Sequence, residues 1–63
     1  MLRDSRDIIR RLERGFVLVS VRGSHHKFAQ RELGRVVIVT HLKRDIPPGT
    51  VNAIYKQAGW PKD

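Results

Sequence analysis

Residues 16–40 read FVLVSVRGSHHKFAQRELGRVVIVT, and the punctuation of this stretch decides the fold. Phe16 to Val21 is β-branched and aromatic, a composition that suits a pleated, half-buried surface, and Arg22, Gly23 and Ser24 supply the turn that closes it. His25 to Arg31 then reads as a second strand and Glu32, Leu33 and Gly34 as a turn. Arg35 to Thr40 follows as a third strand centred on Val36, Val37, Ile38 and Val39. The three form an antiparallel meander. Because side chains alternate across a strand, His26, Phe28 and Gln30 point one way while His25, Lys27, Ala29 and Arg31 point the other.

Upstream, Asp4 and Ser5 are helix-capping types, and Ile8, Ile9 and Leu12 recur at helical spacing until Gly15, which is placed to end the helix in a left-handed cap. The helix is expected over about residues 5 to 14. Its other face carries Arg6, Arg10 and Arg14, partly offset by Asp7 and Glu13, and reads as a solvated charged face before it reads as an RNA contact. Downstream, Pro47 and Pro48 suit a first helical turn, and Val51, Ile54 and Ala58 share one face until Gly59 breaks the run. The order α-β-β-β-α is an α+β fold in which both helices lie on one face of the sheet and leave the other open, the architecture of double-stranded-RNA-binding domains. The expected core is Leu12, Phe16, Leu18, Phe28, Ile54 and Ala58, with one parity of the third strand.

A chain of 63 residues makes one domain, residues 1–63, with a thin core. It has no Cys, and three His without thiolates do not make the usual structural zinc site, so stability must come from packing or from a protein partner. A hydrophobic fraction of 40% with regular apolar spacing argues for a globular domain despite 30% charged residues. No apolar run approaches the roughly 18 residues that span a bilayer, so the expectation is a soluble, cytoplasmic protein with no membrane role. Thirteen Lys and Arg against six Asp and Glu leave a net charge of +7 and a pI near 11.2, which points to a polyanion such as RNA more than to solubility alone.

The chemistry-bearing residues cluster on the second strand. With Phe28 in the core, His25 faces outward beside Lys27 and Arg31: a neutral imidazole can take the proton of a ribose 2′-OH while the two cations hold the phosphate under attack. Gly23, with Ser24, lets backbone amides approach a phosphate closely. On composition alone, an exposed His after Gly-Ser is an ordinary solvated residue. His26 shares the parity of Phe28 and is expected to be partly buried. His41, after the third strand, suits a structural or phosphate-contacting role. Lys43, Arg44 and Lys56 extend a cationic surface, and Trp60 anchors the C-terminal segment. Neighbouring His25 and His26 diverge to opposite faces with no carboxylate nearby, so no metal and no cofactor is assigned.

Read whole, the chain resembles the HicA (YcfA-like) family. The stretches that carry the resemblance are I-I-x-x-L-x-x-G-F at Ile8 to Phe16, V-R-G-S-H-H-K-F at Val21 to Phe28, V-I-V-T-H-L-K-R-D-I-P-P-G-T-V at Val37 to Val51, and I-x-K-Q-A-G at Ile54 to Gly59. Thr40 stands where the family often has Pro. The resemblance implies a type II toxin that cleaves mRNA on a double-stranded-RNA-binding-like fold and is held inactive by a cognate HicB-type antitoxin. It carries the family's catalytic His onto His25. A non-catalytic RNA-binding module and a pure protein-interaction domain are the competing readings, separable by RNA cleavage and by salt-dependent RNA binding.

Overall fold

The computed structural model describes residues 1–41 and 43–62; Leu42, inside the longest shared motif, and Asp63 lie outside the described residues. The order is α1 (Ser5–Leu12), β1 (Val17–Arg22), β2 (His25–Gln30), β3 (Arg35–Thr40) and α2 (Pro48–Ala58), the expected α-β-β-β-α arrangement of the α+β class. Among the described residues no helix is long and apolar enough to cross a membrane.

The Asp4 carboxylate starts α1 by accepting the backbone N–H of Arg6 at 2.8 Å. The helix stops two residues earlier than its periodicity suggests. Glu13 is a right-handed C-cap (φ −61°), and the N–H groups of Gly15 and Phe16 both donate to the Leu12 carbonyl, at 3.1 and 2.7 Å, which turns the chain straight into β1. Gly15 therefore forms no left-handed cap, and Arg14 leaves the helical stripe. By contrast, α2 ends as expected, with Gly59 left-handed at φ +73°.

The sheet has the order β1-β2-β3 with both pairs antiparallel. Gln30 pairs with Arg35, so β2 ends one residue sooner than read and Arg31 belongs to the turn. Leu18 lies opposite Phe28 and Ser20 opposite Lys27, so β1 carries one extra residue, Val19, as a β-bulge.

Both helices pack against β3, and neither covers β1 to a comparable extent. The core comprises Ile8, Leu12, Phe16, Phe28, Val37, Val39, Ile46, Val51, Ile54, Tyr55 and Ala58. Leu18 is the correction: it faces the same side as Phe28 yet remains 47% exposed, because β1 projects beyond the helical layer. Tyr55 takes the central place instead; its hydroxyl accepts the Leu2 N–H at 2.8 Å, and Trp60 packs edge-on against its ring at 5.2 Å. The Arg11 guanidinium lies 4.3 Å over the indole, so Trp60 is an anchor, as its position suggested. The covered side is sewn shut where α1 begins: the Ser5 N–H donates to the Lys43 carbonyl, the Lys43 N–H to Ser5 Oγ, and the Ile46 N–H to the Arg3 carbonyl, each at 2.9 Å.

Candidate nucleic-acid interface

The β1–β2 hairpin closes over two residues, Gly23 and Ser24, between the paired Arg22 and His25. Gly23 sits at φ +56°, a conformation that side chains other than glycine's adopt only with strain, and its position is otherwise open. Directly opposite residues in an antiparallel pair share a face, so the register sorts the sheet. Arg22, His25 and Thr40 form the first row of the open face. Ser20, Lys27 and Ile38 form the second, and Val17, Ala29 and Val36 the third. The face is thus cationic at the hairpin turn and apolar at its far end.

A concave cleft of about 660 Å³ occupies the first two rows, lined by Ser20, Arg22, His25, Lys27 and Ile38. Its lining carries two cations and no carboxylate. The His25 imidazole is exposed, and no described residue hydrogen-bonds or ion-pairs with it. An unengaged ring nitrogen beside two cations can accept a proton while a phosphate is held in place. Arg22 and Ser20 escaped the sequence reading: Arg22 looked like part of the turn, and the bulge at Val19 moves Ser20 to the outward side beside Lys27. A two-residue Gly-Ser loop was the available signal for Arg22, because it pairs the residues that flank it.

His26 and His41 occupy the other side. His26 is half-buried, and its ring lies 4.8 Å from that of His41, tilted by 58°. The Ser24 carbonyl accepts the His41 backbone N–H at 2.7 Å and lies 3.3 Å from His26 Nδ1, a contact that is a hydrogen bond when that nitrogen carries the proton. The pair therefore steadies the Gly23–Ser24 turn, and with it the base of His25, from behind the sheet. His41 does not reach the cleft, and its Nδ1 is buried with no partner among the described residues.

The remaining candidates scatter. Arg31 is six residues from His25, about 20 Å along an extended chain at ~3.3 Å per residue, and lines a separate hollow with Val17, Val19 and Ala29. Lys43 is exposed on the linker tied to Ser5, outside the cleft lining. Of the residues proposed to meet RNA, the fold thus gathers Gly23, Ser24, Lys27 and His25 at one end of the open face and leaves Arg31, His41 and Lys43 elsewhere. Among the described residues no group of three His, Asp or Glu converges.

No curated protein matches the chain. The family model described as the HicA toxin of bacterial toxin–antitoxin systems matches residues 5–60, which takes in both helices, all three strands and the whole cleft. The chain belongs to the HicA toxin family, whose members act as one half of a bacterial pair with a cognate antitoxin.

Proposed function

We propose that this toxin is an endoribonuclease that cleaves mRNA and so blocks translation, with His25 as general base. The observation that carries the reading is the exposed, unengaged His25 imidazole in a cleft walled by Arg22 and Lys27. His25 takes the proton of a ribose 2′-OH; the 2′ oxygen bonds to the adjacent phosphorus as the bond to the 5′ oxygen breaks. The leaving oxygen takes a proton from solvent, which reaches the open cleft. The products are a 2′,3′-cyclic phosphate and a free 5′-OH. Arg22 and Lys27 hold the non-bridging oxygens as charge builds on them, and the backbone amides of the adjoining Gly23–Ser24 turn help position the phosphate chain. Without a carboxylate in the cleft, RNA meets no repulsion there. The cognate partner is a HicB-type antitoxin that presents an acidic surface over the cleft. The pair works in the cytoplasm, where mRNA is found.

Incubation of the purified chain with end-labelled RNA in EDTA tests the activity. Cyclic-phosphate ends from the wild type and none from His25→Ala are expected. RNA bound but left intact by the wild type would instead make the chain a non-catalytic RNA-binding module.

A further inference from the structure

The structure leaves one strand without cover. Every residue of β1 is exposed, among them Val17 at 68%, Leu18 at 47%, Val19 at 53% and Val21 at 51%. Val17 and Val19 lie on the open side and Leu18 and Val21 on the helical side, so β1 is apolar on both faces. It is also an edge, since the sheet ends with it. Free edges pair with other strands unless they are short, charged, broken by proline or covered. β1 has six residues, no proline, and a single charge, Arg22, at its last position. Such a strand is apolar area and unpaired backbone waiting for a partner.

We infer that β1 is the docking site of the antitoxin, which adds a strand of its own along this edge. The inference rests on the chain being one half of a toxin–antitoxin pair and is independent of whether it cuts RNA. A strand laid beside β1, about 4.8 Å away, takes up the unpaired backbone groups, and its side chains cover Leu18 and Val21 on one side and Val17 and Val19 on the other. Charge selects the occupant. A second copy would bring +7 against +7, whereas an acidic partner is drawn to Arg22 and Lys27 at the cleft end of the strip; at the other end Arg31 is offset by Glu32. The location also explains inhibition. Ser20 and Arg22 of β1 form one wall of the cleft, so a strand added outside them carries the partner's body up against His25.

Backbone amide exchange followed by NMR, on the full chain alone and saturated with its cognate antitoxin, tests the inference. The β1 amides not bonded to β2 should slow by about 100-fold or more in the complex, as amides entering a ladder do. The double variant Leu18→Gln, Val19→Gln should bind the antitoxin at least about tenfold more weakly while staying folded, with a melting temperature within about 10 °C of wild type, and cutting RNA at the wild-type rate, since neither side chain is in the core or the cleft. Outer-edge amides that stay unprotected in the saturated complex would overturn the assignment, as would a double variant with wild-type affinity. Ultracentrifugation of the free chain completes the test: a dimer protecting the same amides would give β1 to a second copy. Protection by the antitoxin in a chain that fails to cut RNA would keep the docking site and remove the nuclease reading.

Discussion

β1 and β3 are nearly the same strand in composition and opposite in fate. VLVSVR and RVVIVT are each six residues long and rich in β-branched side chains, yet every residue of the first is exposed, while Val37 and Val39 of the second are fully buried. The cause lies outside both strands. Both helices settle over β3, and residues 43–46, which follow it, are hydrogen-bonded to the start of α1. Strand composition therefore states an affinity for burial, and the connections decide where it is satisfied. In a chain this short the helical layer is too narrow for three strands, and the strand left over becomes a surface.

The comparison breaks first at Leu18 and Phe28, which face one another across the β1–β2 register with 47% and 1% exposure. Phe28→Ala should cost about 3–5 kcal/mol. A domain of this size holds roughly 3–9 kcal/mol in total at ~0.05–0.15 kcal/mol per residue, so the variant should lose about a third or more of its stability. Leu18→Ala should cost about 1 kcal/mol or less, because its surroundings are already half water. Urea unfolding of both variants checks the contrast. Equal losses would mean that β1 is packed as tightly as the rest of the sheet.

Two neighbouring histidines carry the same contrast from one face to the other. His25→Ala removes an exposed base, and RNA cleavage should fall by about 100-fold or more with little change in melting temperature. His26→Ala removes the ring packed on His41 and held at the Ser24 carbonyl. It should lower stability by about 1–2 kcal/mol, a drop of several degrees in melting temperature at roughly 4–8 °C per kcal/mol, before it slows cleavage. Loss of cleavage in a stable His26→Ala protein, with His25→Ala active, would exchange the two roles.

Along the open face the expected effects are smaller. Lys27→Ala should lower RNA affinity a few-fold and reduce the slope of log affinity against log salt by about one phosphate contact. Arg31→Ala should change that slope only if RNA runs the full length of the face, because Arg31 lies in a different hollow. Identical slopes for the two variants would extend the RNA track to the apolar end and compete with the docking role given to β1.

The meander, both helices and the outward placement of His25 follow from alternation and turn chemistry, which act between near neighbours, and these the sequence carries openly. Three features that shape the site do not. The bulge at Val19 depends on how β1 meets β2, so nothing within β1 announces that Ser20 joins Lys27 on the open side. The exposure of Leu18 depends on where the helices land, a long-range outcome that hydrophobicity cannot report. Ile46 and Tyr55 are buried through contacts with the N-terminal segment, and for Tyr55 the signal was masked by a hydroxyl that turns out to be satisfied by the Leu2 N–H. Arg31 shares only its strand parity with His25. Strand length separates them, which parity ignores.

The smallest effect concerns the cap that holds the covered side. Hydrogen bonds from the Arg6 guanidinium to the Asp4 carboxylate, then the one from the Arg6 backbone N–H, hold the Asp4 carboxyl below its ordinary value against the opposing effect of desolvation, with the charges of Arg6 and Arg44 adding lesser contributions in the same downward direction. A carboxyl whose folded pKa is depressed contributes stability that is complete above its unfolded value, about 3.9, and is lost as pH falls through the lower, folded one. Asp4→Asn keeps a side-chain acceptor for the Arg6 N–H and removes the charge. Wild type should therefore melt slightly above Asp4→Asn at neutral pH, and the gap should close as pH drops below about 4. The change should register in exchange at α1 and the 43–46 linker and leave β1 untouched, because the cap anchors only the layer that β1 lies outside. A gap that persists undiminished to pH 2, or one accompanied by faster exchange in β1, would mean that the two sides of the molecule are coupled more tightly than their packing indicates.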